Sequence, residues 1–139
     1  MKKIVPFLGA CLLGVFLVVS SGCGVKGWPE PQGEQDAFSF VKVSFDREND
    51  CLLLKAVIQG NADNLDHFAL LLEQDGCVTC PFQPERRAVF SLFDDRVHML
   101  GDTVQISYCG LDSEKPLRFR LFGINTLEKL PPADSGVLQ

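Results

Sequence analysis

From Phe38 onward the apolar residues fall on every second position, in short runs separated by clusters of Gly, Pro, Asn and Asp. A period of two is the period of a strand, so this rhythm confines the chain to half-buried β-structure. Val41, Val43 and Phe45 alternate with Lys42 and Ser44. Leu52, Leu54, Ala56 and Ile58 share one face opposite Lys55, and Phe68, Leu70 and Leu72 share the next. Ala88, Phe90 and Leu92 form another face, and Val104, Ile106 and Tyr108 alternate with Gln105, Ser107 and Cys109. Leu117, Phe119 and Leu121 alternate with Arg118 and Arg120. Polar turns are expected at Asp46–Asp50, Gln59–Asn64, Gln74–Gly76, Asp94-Asp95 and Leu111–Pro116. A helical reading fails because the runs are short and rich in β-branched and aromatic residues; the Leu-rich His67–Glu73 is the weakest case. Six or seven short strands between residues 38 and 127 predict an all-β, seven-stranded sandwich. Residues 128–139, with Pro131-Pro132 and a polar end, read as a disordered tail.

Upstream the chain changes character. Lys2 and Lys3 precede Ile4 to Val19, an uncharged apolar run with the length of a secretory signal peptide and no basic cluster behind it. Residues 1–22 are therefore expected to be a signal helix that is removed. Two of the 13 basic residues leave with it, so 11 remain against 18 acidic residues, a formal charge of −7. That balance argues against nucleic acid and against electrostatic binding to anionic lipid. Residues 23–37 are rich in Pro, Gly and charge and read as a flexible tether to a domain at 38–127. Trp28 on that tether suits a membrane interface, and equally a solvent-exposed or domain-packed position.

The junction Ser20-Ser21-Gly22-Cys23 resembles the bacterial lipobox, with small residues before a cysteine and Ser20 where the family has Leu. The resemblance implies cleavage before Cys23, diacylglycerol on its sulfur and acylation of the new amine. Several acyl chains give stable anchoring, since each buried methylene adds ~0.8 kcal/mol. Gly24 stands where Asp would signal inner-membrane retention, so the outer membrane is the implied destination. Cys-Gly-Val-Lys-Gly-Trp-Pro-Glu-Pro, Cys23 to Pro31, is also similar to the start of small LptM-like lipoproteins, with Trp28 in place of Pro. Those proteins assist maturation of the lipopolysaccharide translocon.

The landmarks of the domain resemble fibronectin type III-like domains. Leu65-Asp66-His67-Phe68-Ala69-Leu70 falls at the family's Leu-x-x-Tyr-x-Val. Leu100-Gly101-Asp102-Thr103-Val104 falls near its Leu-x-Pro-Gly-Thr-x-Tyr, one residue short. Val104, Ile106, Tyr108, Gly110 and Asp112 follow its strand rhythm, while its core Trp is missing near Ala56 and Ile58. The resemblance implies an immunoglobulin/fibronectin type III-like sandwich.

Six cysteines reduce to four once Cys11 is cleaved away and Cys23 is acylated: Cys51, Cys77, Cys80 and Cys109. Export places them where disulfides persist, and four cysteines allow three pairings. Strict up-and-down alternation puts Cys51 near Cys77 and Cys80 and Cys109 at the opposite pole, which favours bonds that leave Cys109 out. A second chemistry is available to Cys77-Val78-Thr79-Cys80: a redox dithiol, or half a zinc site completed by His67, His98, Cys51 or Cys109. His67 reads as a surface histidine; Asp63 to Asp66 and Asp94-Asp95 as solvated turns; Arg86-Arg87 and Arg118/Arg120 as paired surface charge. No phosphate loop, nucleophile elbow or catalytic carboxylate pair stands out, so no enzyme mechanism is assigned and no cofactor is expected. The sequence thus points to a lipid-anchored envelope protein that presents a β-sandwich to an unidentified envelope protein partner. The alternative is a thiol-redox or metal-handling lipoprotein using Cys77 and Cys80.

Overall fold

The computed structural model describes residues 33–139. The signal peptide of 1–22, the lipidation site Cys23, Trp28 and most of the 23–37 tether lie outside the described residues. Eight strands follow: β1 (Phe38–Glu48), β2 (Cys51–Gly60), β3 (Leu65–Glu73), β4 (Arg86–Ser91), β5 (Val97–Leu100), β6 (Thr103–Cys109), β7 (Arg118–Asn125) and β8 (Ala133–Leu138). They form two four-stranded sheets, ordered β1-β2-β6-β5 and β4-β3-β7-β8, with every pairing antiparallel.

The expected inner faces of β2, β3, β6 and β7 are the observed ones. Leu52, Leu54, Ala56 and Ile58 of β2 and Val104 and Ile106 of β6 meet Phe68, Leu70 and Leu72 of β3, Phe90 of β4 and Phe119 and Leu121 of β7 in one buried cluster. Each such Leu or Phe contributes ~1.5–3 kcal/mol on burial, which is why register is strongly held. Across the layers, Phe38 and Phe40 of β1 lie against the backbone of Gly123 in β7. A Cβ there would come within 2.7 Å of the Phe38 ring, so the glycine makes room for the aromatic pair.

Three local features differ from the sequence reading. A register shift between Phe40 and Lys42 turns Val41 outward, 54% exposed, while Val43 packs against the core and Phe45, though 41% exposed, sets its ring edge-on to Phe119. The first turn is shorter than Asp46–Asp50: β1 runs on to Glu48, and Asn49 (φ 54°) takes the left-handed conformation that a tight hairpin needs. The strands number eight, not seven, and the eighth comes from the segment read as a tail. Ala133–Leu138 pairs with β7, and where the ladder slips the Ser135 hydroxyl accepts the Leu121 N–H at 2.9 Å. The fibronectin-like segments lie in different sheets, Leu65–Leu70 in β3 and Val104–Tyr108 in β6.

The sandwich has two distinct ends. The chain enters β1 at one, where the Asn61 N–H donates to Ala37 O (3.0 Å) and the Thr126 N–H to Asn64 O (2.8 Å). At the other the Leu111 N–H donates to Asp50 O (2.9 Å), Arg86 Nη1 to Gly110 O (3.1 Å) and Gln74 Nε2 to Asp112 O (3.0 Å). Arg47 adds bonds to Lys115 O and Asp112 O. Arg86 opens β4 and Gly110 follows β6, so the start of β4 and the end of β6 share this loop end. Because β5 is antiparallel to β6, β4 and β5 run in the same sense as the chain passes from one sheet to the other. Strict alternation of direction fails there, and the end of β6 is returned to the loop end.

Candidate functional site

The loop end is organised by two charged residues that sequence parity places on a surface. Glu73 closes β3, Arg118 opens β7, and the two stand directly opposite each other. Their side chains are only 5% and 7% exposed, because the β3–β4 connection folds back over this corner of the sheet. Arg118 Nη2 donates to Glu73 Oε2 at 2.6 Å. Removing such a pair from water costs several kcal/mol per ion, so the remaining donors and lone pairs need partners. The loop supplies partners for both terminal nitrogens: Arg118 Nη1 donates to Cys80 O (2.8 Å) and Val78 O (3.4 Å), and Nη2 to Pro81 O (3.3 Å), while Nε stays buried without a partner. Glu73 Oε2 in turn accepts the Gln83 N–H (3.3 Å). The planar guanidinium fork can serve several carbonyls at once, which an ammonium cannot do as well.

The loop is also fastened at its feet. Glu85 accepts the N–H groups of Gln74 (3.1 Å) and Asp75 (2.9 Å), and its own N–H donates to Leu72 O (2.9 Å). The Phe82 ring lies 5.9 Å from the Arg118 guanidinium carbon. Gly76 is required here, since a Cβ would stand 1.9 Å from Glu73 Oε1, inside the buried ion pair.

Two disulfides mark the same end. Cys77 and Cys80 are bonded to each other within the loop, and the Cys80 N–H donates to Cys77 O at 3.1 Å to close a turn. All four residues from Cys77 to Cys80 are exposed. Thr79 Oγ1 lies 3.7 Å from Cys77 Sγ. The second bond joins Cys51 to Cys109, which overturns the expectation that Cys109 sits at the opposite pole. The cause is the shared direction of β4 and β5: it makes β6 antiparallel to β2 and sets Cys109 directly across from Cys51.

The other singled-out residues do not converge. Among the described residues no group of three or more His, Cys, Asp or Glu stands close enough to hold a metal. His67 Nδ1 is paired with Asp66 at 2.8 Å, and His98 is exposed on the outer face of the β1-β2-β6-β5 sheet. Arg96 grips Asp94 through two side-chain bonds of 2.8 and 2.7 Å and holds that carboxyl far below the usual range. Arg120 pairs with Asp134 across the β7–β8 edge and lowers that carboxyl too. Of the expected surface pair Arg118/Arg120, then, Arg118 is a buried anchor.

Among the described residues, two of the concavities open to solvent lie near these groups. One, of about 360 Å³, lies beside the disulfide loop and is lined by Phe45, Arg47, Val78, Leu117 and Arg118 among others. The other, about 520 Å³, lies on the outer face of the β1-β2-β6-β5 sheet, where Ser44, Lys55, Gln105 and His98 form one row across the register. The Glu73–Arg118 anchor escaped the sequence reading because alternation assigns both residues to water. The available signal was the pair Pro81 and Pro84 between Cys77 and Glu85, in a stretch long enough to fold back over the strand it leaves. Comparison with protein-family models, with characterised proteins and with solved structures finds no match to this chain.

Proposed function

We propose that the chain is a lipid-anchored protein of the bacterial envelope, held at the outer membrane through Cys23, whose domain is an immunoglobulin-like binding or assembly module. Lettering β1 to β8 as A, B, C, C′, D, E, F and G turns the two sheets into ABED and C′CFG. That is the constant-type immunoglobulin arrangement with one strand added, which supports the sandwich family that the sequence resembles.

The observation that carries the functional reading is the opposition of the two ends. Phe38, where the tether joins the domain, pairs with Gly60 at the entry end, whereas Glu48 pairs with Cys51 at the loop end. A domain anchored through its N-terminal tether presents the disulfide loop, with Val78 63% exposed, away from the attachment point. The loop is fixed by hydrogen bonds at its base and apolar at its tip, which limits the entropy lost on binding. The short LptM-like start makes translocon assembly one setting in which such a module would act.

Two measurements test this. Intact-mass analysis of the protein from membranes should show residues 1–22 removed and acyl mass on Cys23; an unprocessed or unacylated chain refutes the anchor. Photo-crosslinking in intact cells should then capture a partner from Val78 or Lys115 and not from Asp63 or Glu128. Capture only from the entry-end positions would refute the orientation.

A further inference from the structure

We infer that Cys77–Cys80 is a reversible thiol–disulfide exchange site for the thiols of other exported proteins. This goes beyond the binding role proposed above and takes from it only the oxidising setting of the cell envelope. Three observations on the loop support it. Both cysteines are exposed, which leaves the bond within reach of a thiolate from solvent. The loop is held in place without that bond: Arg118 grips the carbonyls of Val78, Cys80 and Pro81, Glu73 holds the Gln83 N–H, and Glu85 fastens the N–H groups of Gln74 and Asp75. Reduction therefore leaves two thiols on a seated loop, not a loose segment. Finally, the Thr79 hydroxyl lies 3.7 Å from Cys77 Sγ, where it can donate to a thiolate forming on that sulfur. Cys51–Cys109 has the contrasting character: it links two strands whose inner faces are core, so opening it offers no equivalent independent unit.

The exchange balances as follows. A thiolate of the incoming protein attacks Cys80 Sγ; the Cys77–Cys80 bond breaks, and Cys77 leaves as a thiolate stabilised by Thr79. A mixed disulfide joins Cys80 to the incoming protein. That protein's second thiol, having lost its proton to solvent, attacks its own bonded sulfur and expels Cys80. The incoming protein departs with a disulfide, oxidised by two electrons. This chain is left with two thiols, reduced by two electrons, and Cys77 and Cys80 carry two protons in place of those lost by the substrate. Reversal of the same steps by a disulfide-bearing partner restores the loop.

The test uses the full chain in detergent, equilibrated with graded mixtures of reduced and oxidised glutathione. Free thiols are trapped with a maleimide mass tag and assigned by peptide mass. The expected result is that Cys77–Cys80 opens and re-forms reversibly at a reduced-glutathione concentration at least ~10-fold below that which opens Cys51–Cys109. Hydrogen exchange in β3 and β7 should be unchanged by that opening. The oxidised chain should also introduce disulfides into reduced, unfolded ribonuclease. Thr79→Val should slow this transfer about threefold, as follows from a less stabilised leaving thiolate, without changing the melting temperature. The inference is overturned if the two disulfides open together with loss of exchange protection. It is equally overturned if Cys77–Cys80 opens only in denaturant, or if ribonuclease thiols are not oxidised. None of these readouts depends on the lipid anchor, so a failure here is distinct from a failure of the binding reading.

Discussion

The two disulfides of this domain sit at one end of it and do opposite things. Cys51–Cys109 joins residues 58 apart and bridges strands that already face each other in a ladder, whereas Cys77–Cys80 spans three residues inside a loop. In the chain-entropy picture, constraining the unfolded state is worth roughly 4 kcal/mol for the long span and about 2 kcal/mol for the short one. The short bond also works beside an anchor, the buried Glu73–Arg118 pair, that fixes the same segment from beneath. The strand-to-strand bond therefore constrains the unfolded chain more, and the segment that carries the exposed loop bond has a second fastening beneath it.

The sharpest way to break this contrast is to delete the strand-to-strand bond. Cys51→Ala with Cys109→Ala should lower unfolding stability by roughly 4 kcal/mol in urea titrations. A loss under about 1 kcal/mol would erase the distinction. Next comes the anchor: Arg118→Met leaves Glu73 buried without a counter-ion and should cost at least about 3 kcal/mol. Hydrogen exchange at residues 76–85 should rise with it although Cys77–Cys80 stays closed; an unchanged exchange rate would mean that the sulfur bond alone seats the loop. Cys77→Ala with Cys80→Ala should cost about 2 kcal/mol or less, with the loop still protected.

The smallest effect expected is from the β7–β8 edge. The Arg120 guanidinium, followed by the Gly136 N–H, holds the Asp134 carboxyl below its usual 3.8. A depressed folded-state pKa contributes stability above the unfolded value and loses it as pH falls through the folded one. The pair is about one-third exposed, so the contribution is screened to less than about 1 kcal/mol. Asp134→Asn should flatten the stability profile below pH ~4 by that amount, measured by urea titration at a series of pH values.

The sequence speaks clearly wherever burial on one face dictates parity. Leu52 to Ile58, Phe68 to Leu72 and Phe119 with Leu121 lie where their alternation places them. It is silent where backbone geometry decides. Val41 is turned out by a bulge, and a bulge leaves no mark in a period-two pattern. Ala133–Leu138 carries too little apolar rhythm to read as a strand; it is recruited by the free edge of β7 and secured by Asp134 and Ser135. The partner of Cys109 depends on the directions of β4 and β5, which no local residue encodes. Arg118 is the instructive case at the candidate site. Its place in the strand predicts solvent, and only the returning loop, with a glycine at Gly76 to let it close, converts it into an anchor.

The opposition of the tether junction and the disulfide loop has a mechanical consequence. A pull applied between the two ends of the sandwich runs along the strands, so the β1–β2 ladder, with ten residues paired from Phe38–Gly60 to Glu48–Cys51, is loaded in shear. Its hydrogen bonds then share the force together instead of unzipping one at a time, and the covalent link from Cys51 to Cys109 carries the load onward into β6.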